Sequence, residues 1–278
     1  MAGLSMQELA DKLGVTKQAI GKYEQGVMQP NSTVLIKMAQ ALDIKVDYFF
    51  RKKQVELQGI EFRKKTKLSK KEQERIIEKA IEFLERYLEL EILLGIDNIF
   101  EHPLENMTVR TGEEAEQAAK QLRERWELGF SPIPNIVEML EEKGIRIFEI
   151  ESSENFDGLF AWADSIPLIV LNTRITDTAR KRFTTVHELA HLLLTIPEDI
   201  EHRVKEKLCH TFAGAFLLPA IPFIDLIGSK RSQFFEKELI AIKQLFGISI
   251  HAIIVRAHHL LIISDSLYRG MFIVMNKK

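Results

Sequence analysis

The sequence predicts a mainly α-helical chain with a small β-sheet, an α+β protein in which an all-helical N-terminal unit precedes a larger mixed one. Three observations carry this prediction. Apolar residues recur at three- and four-residue spacing from Met6 to Leu42 and again through most of the chain. The period changes to short runs rich in Ile, Val and aromatics between Ile145 and Asn172. Between the units the composition turns basic and poor in apolar residues, "FRKKTKLSKKEQER". The 278 residues, 46% hydrophobic and 28% charged with a formal net charge of -2, describe a globular protein rather than a tail or scaffold, and the balance names no polyionic partner. A single cysteine, Cys209, excludes an internal disulfide and suits a reducing compartment. There is no basic-then-apolar leader and no apolar run near the ~20 residues of a membrane span, so the expected location is the cytoplasm with no membrane contact.

Taken in order, "SMQELADKLG" sets Met6, Leu9, Ala10 and Leu13 on one helical face and stops at Gly14. Thr16 caps "TKQAIGKYEQG", whose Ala19, Ile20 and Tyr23 point inward until Gly26. After Pro30 and Asn31, "STVLIKMAQAL" turns Val34, Leu35, Met38, Ala39 and Leu42 to the core, and "VDYFF" adds an apolar turn. Helix, tight turn, helix is the shape of a DNA reader. Ser69 with Glu72 forms a capping box for a long helix to about Leu94, whose stripe of Ile76, Ile77, Ala80, Phe83, Leu84, Tyr87, Leu88 and Ile92 is expected to space or dimerise the two halves. Thr111 with Glu114 opens another helix, and Pro132 begins one that ends near Gly144. "IRIFEI", "GLFAWA" and "PLIVLN" are strands. A helix from Asp177 to Thr195 is closed by Pro197, and a further one spans Glu201 to Leu217. Gly247 and Ser249 end one helix and cap the next, and "GMFIVM" reads as a short terminal strand.

Within the Asp177–Thr195 helix, "TTVHELAHLL" places His187 and His191 one turn apart, so both imidazoles can reach one ion at about 2.0 Å. Glu188 stands roughly 100° round the helix, beside such an ion rather than on it, where its carboxylate can take a proton from a water. That is the arrangement of a zinc (Zn2+) hydrolase, and it explains two histidines and a glutamate in a greasy helix better than ordinary hydrogen bonding does. A tetrahedral catalytic zinc needs a third protein ligand. The metzincin continuation is ruled out by Leu194 and Pro197. The candidates are Asp199, Glu201, His202, Glu206 and His210, of which the last two share a helix face with Phe212, Ala213, Phe216 and Leu217; Glu206 is favoured, with His210 a rival ligand or a hydrogen-bond partner. The strand ending at Asn172 is expected to be an edge that holds an extended protein substrate, and Tyr268, His258 and His259 are candidate oxyanion donors.

In the N-terminal unit, Lys17, Gln18, Gly21 and Lys22 open the second helix, the part of a recognition helix nearest the bases of double-stranded DNA, with Gln18 suited to adenine. Lys12, Lys37, Lys45 and Arg51 to Lys53 are candidates for phosphate contact.

"SMQELADKLGVTKQAIGKYEQG" with "PNSTVLIKMAQALDIKVDYFF" strongly resembles the Xre/Cro-type helix-turn-helix, and the chain from about Phe62 resembles the ImmA/IrrE metallopeptidase family, with "RKRFTTVHELAHLLL" and "EKLCHTFAGAFLLP" as its two zinc segments. The resemblance implies a gluzincin-like zinc peptidase domain, a third ligand at Glu206, and cleavage of a partner repressor or antitoxin. The domains so drawn are 1–53, the DNA reader; 54–108, a basic linker and connecting helix; and 109–278, the peptidase. Two departures stand out. Only Met1 to Leu4 occupy the place of the DNA domain's usual first helix, and Cys209-His210 replaces the common Ala-Asn pair. The expected function is a transcriptional regulator that binds DNA and carries a zinc-dependent endopeptidase, with a homodimer as a possible assembly. The alternative is a non-proteolytic regulator or antitoxin whose peptidase fold serves as a sensor or dimerisation module.

Overall fold

The computed structural model describes residues 4–50, 55–62 and 68–275. Its N-terminal helices are α1 (Met6–Leu13), α2 (Lys17–Glu24) and α3 (Ser32–Leu42), followed by a short 3-10 helix, Val46–Phe50. Each helix starts where a short polar side chain relieves the unpaired N–H groups of its first turn: Ser5, Thr16 and Asn31 accept from Glu8, Ala19 and Val34. Gly14, at φ 68, ends α1 in the left-handed conformation that only glycine adopts freely. Leu9, Ala10, Leu13, Ile20 and Met38 form a small core of their own.

The mixed unit holds β1 (Gln58–Phe62), α4 (Lys70–Leu94), α5 (Gly112–Arg125), α6 (Ile136–Glu142), β2 (Arg146–Ile150), β3 (Gly158–Ala163), β4 (Ile166–Asn172), α7 (Thr178–Leu193), α8 (His202–Leu217), α9 (Ala220–Ile227), α10 (Glu236–Phe246), α11 (Ile250–His259) and α12 (Asp265–Met275). The sheet order is β1-β3-β4-β2, with β2 parallel to β4 and the other two pairings antiparallel. Alternation along the strands divides the core. Ile147, Phe160, Ile169 and Leu171 face the helices α5 to α11, whereas Phe148, Leu159, Ala161, Leu168 and Val170 face α4. With both faces covered, β4 is apolar almost throughout, which is why its run was legible as a strand.

Several expectations are corrected here. The helix α4 is no spacer: Ile76, Ala80, Ile81 and Leu84 pack on the sheet, while Ile92, assigned to the inward stripe, is 79% exposed. Its last inward turn carries Glu91 instead, paired with the buried Arg146 of β2 at 2.8 Å. The strand β1 lies in the stretch read as linker. The strand β4 is not an edge, since β3 and β2 flank it on both sides and occupy its main-chain groups. The terminal "GMFIVM" run is helical: Ser264 Oγ accepts from Leu267 N, and Leu267, Tyr268, Met271 and Phe272 pack on the core at helical spacing. The helix expected at Pro132 begins at Ile136, where Asn135 caps it. Among the described residues no single helix is long and apolar enough to cross a membrane.

Candidate metal centre

The helix α7 is held from both ends of its environment. Asp177 accepts from Arg180 N at its start, and Arg182 donates to the carbonyls of Ile133, Pro134 and Gly247, clamping α7 to the approach of α6 and the turn after α10. Its middle is sealed: Val186, His187, Glu188, Leu189 and Ala190 are all buried. From the neighbouring α8, Leu208, Cys209, Phe212 and Phe216 pack inward on the same core, which turns Glu206, one turn earlier, towards the two histidines.

The Nε2 atoms of His187 and His191 stand 3.1 Å apart. Glu206 Oε1 lies 3.0 Å from His191 Nε2, and its Oε2 lies 3.4 Å from His187 Nε2. These three donor atoms are within 4.8 Å of one another. Donors held tetrahedrally at ~2.0–2.1 Å from one ion stand about 3.3–3.4 Å apart, so the triad has the size of a single zinc coordination shell. Burial alone would raise the Glu206 pKa. Hydrogen bonds from His187 and His191, and the charge these rings carry when protonated, outweigh it and hold the carboxyl well below the usual carboxylate range. The same attraction serves any cation placed there.

The second ring nitrogen of His191, Nδ1, lies 3.6 Å from the buried Cys209 Sγ, and the Phe160 ring lies parallel to the His191 ring at 5.7 Å. A proton on Nδ1 directed at that sulfur leaves the Nε2 lone pair for the triad. Glu188 is 1% exposed and sits against β3: a Cβ added at Gly158 would come 3.2 Å from Glu188 Cγ and 3.1 Å from the Val170 carbonyl oxygen. His210 is exposed and its Nδ1 donates to the Glu206 carbonyl at 2.6 Å, with its ring 4.3 Å from that of His187.

Of the other third-ligand candidates, Asp199 pairs with Arg110 at 2.9 Å, while Glu201 and His202 are exposed at the start of α8. His258 Nε2 meets Asp265 at 2.7 Å and its ring stacks on Tyr268. His259 instead lines a cavity of about 530 Å3 together with His210, Phe183, Gly214, Ala252 and Val255. His251 of α11, Asp157 before β3 and Arg180 in the first turn of α7 also line it and were not singled out in the sequence, because only the fold brings these three elements to one cavity.

In the N-terminal unit Lys17, Gln18 and Lys22 are exposed on α2 and Gly21 is half-buried; Lys12, Lys37 and Lys45 are exposed as well. Arg51 to Lys53 lie outside the described residues.

Residues 1–49 match the family described as helix-turn-helix, and residues 140–258 match the family described as IrrE N-terminal-like domain. Among curated relatives, the chain is 39% identical over 49 residues to a SPbeta prophage-derived uncharacterized HTH-type transcriptional regulator of Bacillus subtilis, covering 18% of this chain and 45% of that protein. It is 44% identical over 48 residues to an uncharacterized HTH-type transcriptional regulator of Rickettsia conorii, covering 17% of this chain and 38% of the relative. The chain thus spans less than half the length of these relatives.

Proposed function

From a chain that joins a helix-turn-helix domain to an IrrE N-terminal-like domain, we propose a DNA-binding transcriptional regulator that is also a zinc-dependent endopeptidase, cutting an extended segment of a partner repressor or antitoxin. The observation that carries the peptidase half is the convergence of His187, His191 and Glu206 beside a buried Glu188.

In this reading His187, His191 and Glu206 hold the ion. A zinc ion held there would supply a Lewis acid for the scissile carbonyl and would lower the pKa of a water towards about 7. The rest belongs to the chain's own side chains. Glu188, fixed against Gly158, receives a proton from the attacking water and passes it to the leaving amine. Phe160 and Cys209 keep the His191 ring in one orientation, and Glu206 stays ionised at neutral pH. Substrate side chains flanking the cut bond have room in the cavity beside His210, and of the three oxyanion-donor candidates His259 is the one that lines it. In the other half, α2 presents Lys17, Gln18, Gly21 and Lys22 to the major groove.

The test compares zinc-loaded protein with its Glu188→Gln variant on repressor or antitoxin proteins encoded beside its gene. Cleavage should fall by about 10²- to 10⁴-fold while the zinc content is kept. Equal cleavage by the two proteins, or equal transcriptional output with both in cells, would remove the peptidase from the account.

A further inference from the structure

The strand nearest the triad is β3. Gly158 packs on Glu188 and Phe160 lies along His191. One edge of β3 is bonded to β4, and its outer edge is where an extended polypeptide would add by main-chain hydrogen bonds. That edge is already filled. The segment β1 pairs with it antiparallel, with Glu61 opposite Phe160, which lies against His191, and Phe62 opposite Leu159.

The pairing is of a kind made to be exchanged. The strand β1 has five residues and ends the sheet, its register shifts between Gln58 and Glu61, and Gly59 within the shift adopts φ 61. The extra residue of a bulge breaks the ladder and an internal glycine adds no side-chain packing, so the side-chain hold on this segment comes from Ile60 with the preceding Val55 and Leu57, which pack on the α4 side of the sheet. Its main-chain bonds to β3 are those an incoming substrate would make. It is also the first described strand after the helical unit, with residues 51–57 between them, so the two activities of the chain are joined through this segment.

Resting on the peptidase reading, we infer that the outer edge of β3 is the docking edge for the segment to be cut, and that β1 is its resident occupant, an internal competitor that keeps the peptidase latent until it is lifted off. The class of partner is an unfolded protein segment able to run antiparallel to β3, recognised chiefly through its backbone.

The experiment uses the full chain in three forms: parent, Glu61→Pro, which removes a ladder N–H, and a chain with Gln58 to Phe62 replaced by a Gly-Ser run of equal length, with Glu56→Pro as the control outside the strand. Hydrogen exchange at residues 158–163 is followed first. It should quicken at least tenfold in both altered chains but not in the control, and a synthetic peptide of residues 55–68 added in trans should slow it again. Zinc-loaded altered chains should then cut β-casein, an unfolded probe, at least fivefold faster than the parent, and the peptide should inhibit them. Unchanged exchange, or exchange that the peptide cannot reverse, would overturn the docking edge while leaving the peptidase reading intact. Faster exchange and peptide rebinding with cleavage no faster than in the parent would overturn latency. Rebinding with no cleavage by any form, parent included, would instead count against the peptidase reading and leave the edge assignment standing.

Discussion

Gly158 shows how a single residue can be fixed by a neighbour thirty positions away. Any side chain there would press on both the Val170 carbonyl, at 3.1 Å, and Glu188 Cγ, at 3.2 Å, and the backbone oxygen cannot give way. Gly158→Ala should therefore displace the Glu188 carboxylate and, on the proposed peptidase role of Glu188, lower kcat by about 10- to 100-fold. Zinc content should stay that of the parent, because Gly158 touches none of the three donors; a kcat within twofold of the parent would show that Glu188 tolerates the shift. The sequence disclosed the residues of this site unevenly. His187, Glu188 and His191 were legible because their relation is local, one helical turn, and Glu206 because it shares a helix face with a known apolar stripe and a family motif. The Gly158 contact, the Phe160 ring and the cavity-lining His251 depend on strand placement and helix packing, for which the sequence carries no local signal. Arg146 and Glu91 were given no role from the sequence, and the structure buries them as a pair.

At the scale of elements, α4 separates burial from periodicity. Its apolar stripe was read correctly as amphipathic, but an amphipathic helix does not name the surface it covers, and the absence of a recognised β1 made it look like a spacer. The distinction can be measured. Leu84→Ala removes a side chain with 0% exposure from the sheet-facing core and should cost about 2–5 kcal/mol of stability, whereas Ile92→Ala, at 79% exposure, should lie within about 0.5 kcal/mol of the parent. Equal effects on thermal or denaturant unfolding would mean that α4 is not anchored on the sheet. The strands β2, β3 and β4 were legible from β-branched and aromatic runs bounded by turns, yet their order was not, because pairing partners are set by tertiary contacts; β4 was taken for an edge and is internal. The segment β1 was hidden by its polar content, and α12 was misread because an apolar run of six residues satisfies both periods when Tyr268 and Leu267, which complete the helical face, are left out.

The whole molecule joins a helix-turn-helix domain and an IrrE N-terminal-like domain on one chain, and each half makes a separate demand on experiment. For the reader, log affinity for DNA should fall linearly with log salt, and Lys17→Ala or Lys22→Ala should each reduce that slope by about 1 if the lysine meets a phosphate. Gln18→Ala should cost about 1–3 kcal/mol at one base pair and little elsewhere. Binding that ignores salt would point to protein contact instead. For the other half, the account stands on one ion shared by two imidazoles of α7 and one carboxylate of α8, and elemental analysis of the purified chain against its Glu206→Ala variant tests this most directly. One zinc per chain in the parent and in Glu188→Gln, falling below a tenth in Glu206→Ala with the fold retained by circular dichroism, is the predicted result. A full zinc complement in Glu206→Ala, or a correctly folded parent that takes up none from a zinc-containing buffer, would contradict it.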